Sequence, residues 1–306
     1  VDDYLMGATI IMRGEEWLPS TPLHADLALA LGIKPFKYAH TPVISIVGDE
    51  GGKRKLSKRK DPEADMAFWQ QAAYPLKAIK AYLLGLANSN FEDWYRENPD
   101  APLDDFPFSL EKLRSSRSPL LDMKKVEDYA KDEIARMPQA HFNKEVLKWT
   151  ELHDHDLYKA MVLDPEYTNA VLSIERSGEK PRKDVAKWSD VPEQFGYYYD
   201  YIFENQNKEQ LEISAEDIIN ACDNFMAGYD HSSDKDAWFE NMKTAAEKSG
   251  YALDRKDMKE NPDKYKGGLA DFAKVIRVKT TGKTRTPDLY TTMQILGQER
   301  EIDRLA

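Results

Sequence analysis

The sequence is poor in cysteine and histidine and has no long apolar run. The single cysteine, Cys222, excludes an internal disulfide and a cysteine-rich zinc site within one chain. No stretch approaches the roughly 20 consecutive apolar residues that span a bilayer. Val1 to Thr21 carry acidic and polar groups and lack a basic-then-apolar leader pattern. A membrane partner is therefore not expected, and a cytoplasmic location is. No internal repeat or low-complexity segment is present. His153 and His155 flank Asp154, but in a polar context that reads as solvated, so no metal site is expected there. Positive charge is also in deficit, at 43 Lys and Arg against 54 Asp and Glu, a net −11. Taken alone, that balance argues against nucleic-acid binding, which needs cations for phosphates. The distribution qualifies it. Lys53, Arg54, Lys55, Lys58, Arg59 and Lys60 crowd one short stretch, and Lys274, Arg277, Lys279, Lys283 and Arg285 form another. Local basic faces on an acidic chain can hold RNA while discouraging indiscriminate binding. Plain solvated surface is the alternative.

The 306 residues suggest two domains, or three small ones. Thr9 to Met12 and Pro42 to Val47 are short apolar, β-branched runs that predict buried strands. Between them, Thr21-Pro22 looks like a helix start and Gly32 a stop. Strand, helix, strand is the pattern of a parallel α/β sheet. Gly48 to Lys60 is a glycine-rich basic loop. After residue 61 the pattern turns helical. Pro75 opens a helix whose Leu76, Ile79, Leu83 and Leu86 fall at helical spacing. Asn88 to Pro107 reads as a polar loop or insertion, and Ser109 to Arg114 and Lys124 to Arg136 as short helices. Pro138 to Asn143 marks a boundary. Phe195 to Phe203 is an aromatic run whose plainest use is packing, with base stacking as the other reading. Helices follow over Asp236 to Ser249, around Leu269 to Ile276, after a Thr286-Pro287 cap, and over Gln298 to Leu305.

Three features carry chemistry. Lys55-Leu56-Ser57-Lys58-Arg59, with Gly51 and Gly52 just ahead, puts two lysines around a serine on a loop. Such a loop can clamp a polyphosphate, its ammonium groups neutralising charge as pyrophosphate leaves. An exposed basic patch is the alternative. Arg13-Gly14-Glu15-Glu16-Trp17-Leu18 places a guanidinium at the end of a buried strand. There it needs a carboxylate, either from Glu15 or Glu16 or from a substrate. Arg277-Val278-Lys279-Thr280-Thr281-Gly282, followed by Pro287-Asp288-Leu289-Tyr290 and Leu296-Gly297-Gln298-Glu299-Arg300, reads as capped helices with a basic approach and nothing catalytic.

In this order the three resemble one family, the bacterial-type glutamyl-tRNA synthetases, which are class I enzymes. Val1 to Gly7 and Arg13 to Pro22 resemble the segment leading out of that family's nucleotide-binding fold. Lys55-Leu56-Ser57-Lys58-Arg59 resembles its version of the "KMSKS" signature, and Ile276 to Leu305 the end of its anticodon-binding domain. The resemblance implies a mainly α chain with a small α/β remnant. Residues 1–62 would be the C-terminal part of a Rossmann-type catalytic domain, 63–137 a helical stem-contact domain, and 138–306 a helical anticodon-binding domain. It also implies a reaction in which ATP, with Mg2+, activates glutamate, which then passes to tRNA(Glu). In that scheme Lys58 is catalytic and contacts the ATP phosphates, Lys55 and Ser57 shape the same loop, and Ile44 lies beside the adenine. Arg13 contacts the substrate glutamate. Glu16 and Trp17 support the pocket for the tRNA 3′ end, and Arg277, Lys279, Lys283 and Arg285 face the tRNA. A monomer is expected.

One departure stands out. The family's other signature, "HIGH", has no His-x-Gly-His counterpart here. The expectation is a C-terminal portion of such an enzyme, inactive alone but tRNA-binding. A non-catalytic RNA-binding module and a glutaminyl-tRNA synthetase-like enzyme remain as alternatives. The helical C-terminal half speaks against the latter, whose relatives usually end in β-barrels.

Overall fold

The computed structural model describes residues 1–48, 51–113, 119–178 and 180–306. They form two compact units, Val1–Ile134 with Ala186–Trp188, and Ala135–Val185 with Ser189–Ala306.

The first unit opens with helix α1 (Asp2–Leu5), strand β1 (Ile10–Gly14), a 3-10 turn over Glu15–Ser20, helix α2 (Thr21–Ala30) and strand β2 (Lys37–Thr41). β1 and β2 run parallel, from Ile10 opposite Lys37 to Gly14 opposite Thr41. α2 starts where expected, with Pro22 in its first turn, and the chain leaves it through Gly32 at φ 72°. The second parallel strand, however, is not Pro42–Val47. Pro42 has no N–H to continue the ladder, so β2 ends at Thr41. Ser45–Val47 instead becomes β3 and pairs antiparallel with β4 (Lys53–Lys55). Part of the basic loop is thus strand, and residues 49–50 within it lie outside the described residues. Backbone bonds from Ser45 N to Pro119 O (2.8 Å) and from Leu121 N to Ser45 O (2.8 Å) tie this hairpin to the helical part of the unit.

That helical part consists of α3 (Met66–Ala72), α4 (Leu76–Ala87), α5 (Phe91–Glu97) and α6 (Met123–Arg136). α4 buries Ala78, Ala81, Tyr82 and Gly85, while Leu76 and Leu83 are exposed. Of the expected stripe, Ile79 and Leu86 pack against the core and Leu76 and Leu83 do not. Small side chains on the buried face let Val126 and Ala130 of α6 approach closely. The expected polar insertion also folds. Phe91 and Tyr95 of α5 pack with Phe106 and Ala81 in a core of their own. The helix expected over Ser109 to Arg114 is only a 3-10 turn, Leu110–Lys112, and Arg114 lies outside the described residues.

The second unit is helical: α7 (Gln139–His153), α8 (His155–Leu163), α9 (Pro165–Ser173), α10 (Val191–Phe195), α11 (Asp200–Asn205), α12 (Ala215–Met226), α13 (Lys235–Lys248), α14 (Arg255–Glu260), α15 (Leu269–Thr281), α16 (Leu289–Leu296) and α17 (Gln298–Leu305). Phe225, Met242, Ala246, Phe272, Ile276 and Met293 from four of these helices meet in one core. Each of the large side chains among them contributes about 1.5–3 kcal/mol on burial. The aromatic run is structural, since Phe195, Tyr197, Tyr198, Tyr199 and Phe203 are all buried. Arg304, nearly buried, donates to the carbonyls of Tyr197 (2.9 Å) and Thr280 (2.7 Å) and to Asp200 (2.9 Å). α16 is capped by Asp288, whose carboxylate accepts from Thr291 N (3.1 Å), and not by Thr286. Pro287 stands before the helix, not in its first turn. No helix among the described residues is long and apolar enough to cross a membrane.

Candidate functional site

In the first unit the β3–β4 hairpin leads into a tight turn from Ser57 to Asp61. Lys60 N and Asp61 N both donate to Ser57 O (3.0 and 2.8 Å), and Leu56 N donates back to Ile44 O (3.0 Å). The turn presents Lys58, Arg59 and Lys60 to solvent. A cleft of about 680 Å3 opens beside it, and its lining includes Glu16, Ile44, Lys55, Ser57, Lys58 and Trp69. Five residues singled out in the sequence therefore share one cleft.

Two carboxylates organise the surroundings. Glu16 pairs with Lys55 at 2.9 Å, and this bond holds its carboxyl below the usual carboxylate range. Asp61 was not singled out in the sequence. It is 4% exposed and takes both Arg54 guanidinium nitrogens, Nη1 at 2.6 Å and Nη2 at 2.5 Å. It also accepts the Ser57 N–H at 2.8 Å. The Arg54 bond, reinforced by that N–H, brings the Asp61 carboxyl down to about 2. A lone aspartate after a basic run has no spacing signature, which is why the sequence did not mark it.

Arg13 and Trp17 do not line this cleft. Arg13 sits at the end of β1, and its guanidinium lies 4.5 Å from the Tyr38 ring centre. Its Nε donates to His40 Nε2 (3.2 Å), its Nη2 to Thr21 Oγ1 (2.7 Å), and its Nη1 meets His24 Nδ1 at 2.6 Å. The expected partnership with Glu15 or Glu16 is not formed. Glu16 is held by Lys55, and Glu15 accepts from Val43 N (3.4 Å). Among the described residues Arg13 has no ion pair with a carboxylate, so its guanidinium rests on two imidazole rings, a hydroxyl and a ring face. Trp17 is half exposed, with its ring 6.4 Å from that of His24.

The basic residues of the second unit do not share one cleft. Arg277 lines an apolar cleft of about 660 Å3 with Trp238, Phe239, Met258 and Leu289. Burial lowers its pKa, and among the described residues neither its Nε nor the Trp238 Nε1, both buried, has a hydrogen-bond partner. Lys279 lines a different cleft, of about 780 Å3, with Phe203, Lys208 and Arg300. Lys283 pairs with Glu193 at 3.6 Å, and Arg285 is exposed. Among the described residues no group of three or more His, Cys, Asp or Glu could hold a metal ion.

Comparison with known proteins gives this geometry a class. Residues 1–93 match the family model for the class I tRNA synthetase (E and Q) catalytic domain, and residues 141–306 match the anticodon binding domain. Together the two matches give the class, the class I tRNA synthetases (E and Q). Glutamate--tRNA ligases from Clostridium perfringens (strain 13 / Type A) and Acetivibrio thermocellus are 38% and 37% identical over the whole chain. The chain covers 56% of each of those proteins, little more than half their length. A crystal structure of a glutamate tRNA ligase from Elizabethkingia meningosepticum in complex with its amino acid superposes with a TM-score of 0.63. It is 19% identical, and the match covers 99% of this chain and 57% of that one, which shows a shared fold. The chain belongs, over residues 141–306, to the anticodon binding domain family, and over its whole length it is similar to part of the glutamate--tRNA ligases.

Proposed function

We propose that this chain supplies the lysine loop and the anticodon-binding part of a glutamate--tRNA ligase. The observation that carries the reading is the convergence of Glu16, Ile44, Lys55, Ser57 and Lys58 on one cleft. Residues 1–62 would then belong to the catalytic domain, 63–137 to a stem-contact region and 138–306 to the anticodon-binding domain. Lys58, exposed on its turn, would meet the ATP phosphates and stabilise the departing pyrophosphate. Lys55 and Ser57 shape the same turn, and Ile44 lies where its backbone can meet the adenine. Mg2+ would travel with the ATP phosphates, as it does in phosphoryl-transfer enzymes that lack an all-protein metal cage.

Arg13, with no carboxylate of its own, fits the glutamate substrate. Glu16 and Trp17 would support the arriving tRNA 3′ end. In the second unit, Arg277, Lys279, Lys283 and Arg285 would face tRNA(Glu). For Arg277 the support is the apolar cleft with orphaned Arg277 Nε and Trp238 Nε1 donors, a setting that suits a flat base bearing acceptor atoms. A cytoplasmic monomer goes with this reading.

The test is tRNA binding by this chain across a salt series, with a glutamate tRNA against an unrelated tRNA. The expected result is preference for the glutamate tRNA, weakening steeply with salt. Equal weak binding of both tRNAs would sink the anticodon-domain assignment.

A further inference from the structure

We propose that Asp61 is the positioning residue of the lysine turn. The inference rests on the reading of Lys58 as a phosphate-binding group. Lys58 lies on a turn bounded by Ser57 and Asp61, and its neighbours Arg59 and Lys60 are exposed. Three like charges on adjacent residues repel one another, so the turn does not hold its shape through the side chains it displays. The fixed point is below it. One carboxylate, 4% exposed, ties the first residue of the turn to the strand that precedes it. Asp61 Oδ2 accepts the Ser57 N–H, and both carboxylate oxygens hold Arg54 of β4, which is opposite Ile46 of β3. The turn is thereby clamped to the hairpin, and the hairpin to the backbone of Pro119 and Leu121. A planar, two-point guanidinium–carboxylate pair fixes direction as well as distance, which a single hydrogen bond does not. The ammonium of Lys58 is then presented over the cleft that Ile44 and Ser57 also line. Preorganised charge binds a polyanion without the cost of ordering a loop at the moment of binding.

The experiment compares the wild-type chain with Asp61→Asn, Asp61→Glu and Lys58→Ala, using inorganic tripolyphosphate as the probe. Affinity is read by calorimetry. The rate of trypsin cleavage after Lys58, Arg59 and Lys60 is read by mass spectrometry, and far-UV circular dichroism checks that each variant is folded. Asp61→Asn is expected to weaken tripolyphosphate binding about tenfold, the scale of one charge-assisted hydrogen bond. It should also speed cleavage within the turn while leaving cleavage elsewhere unchanged. Asp61→Glu should restore most of both properties, a rescue that a merely space-filling role would not give. If Lys58→Ala weakens binding while Asp61→Asn binds and is cut like wild type, the inference is overturned. If the wild-type chain does not bind tripolyphosphate, or Lys58→Ala leaves its affinity unchanged, the phosphate reading falls and takes the inference with it. The trypsin pattern tells these two failures apart.

Discussion

Glu301 is wholly buried on α17, and neither of its carboxylate oxygens has a hydrogen-bond partner among the described residues. Burial pushes its carboxyl up to about 8, against the opposing pull of Arg304. The folded chain therefore keeps this proton over a range where the unfolded chain, titrating near 4.5, has lost it. The folded state binds more protons in that window, so stability falls as pH rises from about 4.5 to about 8 and levels off above it. Glu301→Met removes the penalty. It should raise the melting temperature at pH 8 by the equivalent of about 2 kcal/mol, and much less at pH 5. Equal gains at both pH values would show that the carboxyl is not the cause. At this scale the sequence was legible where a motif carried the information. Lys55, Ser57 and Lys58 stood out by pattern, and the structure gathers them into one cleft. The groups that hold others in place were not legible. His24, His40 and Thr21 around Arg13, and Asp61 beneath the turn, meet their partners only through the fold.

Helix α4 shows why elements were easier to locate than to orient. Its existence followed from Pro75 and the helical spacing, and it runs Leu76–Ala87. Its orientation was only half legible: Ile79 and Leu86 of the apolar stripe do pack against the core, but the fully buried positions are Ala78, Ala81, Tyr82 and Gly85, because close helix contact selects small side chains that weigh little in a hydrophobic pattern. The two faces should respond oppositely to substitution. Leu83→Glu, on the exposed side, should change stability by no more than about 0.5 kcal/mol. Ala81→Leu must force apart α4 and the Phe91–Phe106 cluster and should cost about 1–3 kcal/mol. Denaturant melts of both variants measure this, and a larger loss from Leu83→Glu would reverse the assignment of faces. Other misses share a cause. β2 escaped notice because Lys37-Tyr38-Ala39-His40-Thr41 has no apolar run, yet its backbone completes the parallel pair with β1. α5 was hidden among acidic and proline residues, although Phe91, Tyr95 and Phe106 are enough to seed a small core.

At the scale of the whole molecule, the family was legible because its motifs are ordered and spread along the chain. What composition concealed is the uneven placing of apolar surface. Tyr4, Leu5, Met6, Trp17, Leu18, Leu23, Leu27, Leu29 and Leu31 are all more than half exposed, and α2 buries only Ala28. So many exposed apolar side chains within about 30 residues are unusual on a free-standing unit. The chain should bind a hydrophobic dye such as ANS, and the triple change Leu23→Gln, Leu27→Gln and Leu29→Gln should remove most of that signal without lowering the melting temperature. A full dye signal in the triple variant would place the apolar surface elsewhere. The same first unit holds two sheets of opposite character. The antiparallel hairpin closes over a short local turn. The parallel pair brings together Arg13 and His40, 27 residues apart, with a helix between them. Loop-closure entropy rises with separation, and local contacts form sooner than distant ones. On refolding of the whole chain from denaturant, the lysine hairpin is therefore expected to form before the strand pair that carries Arg13, the reverse of their order along the sequence.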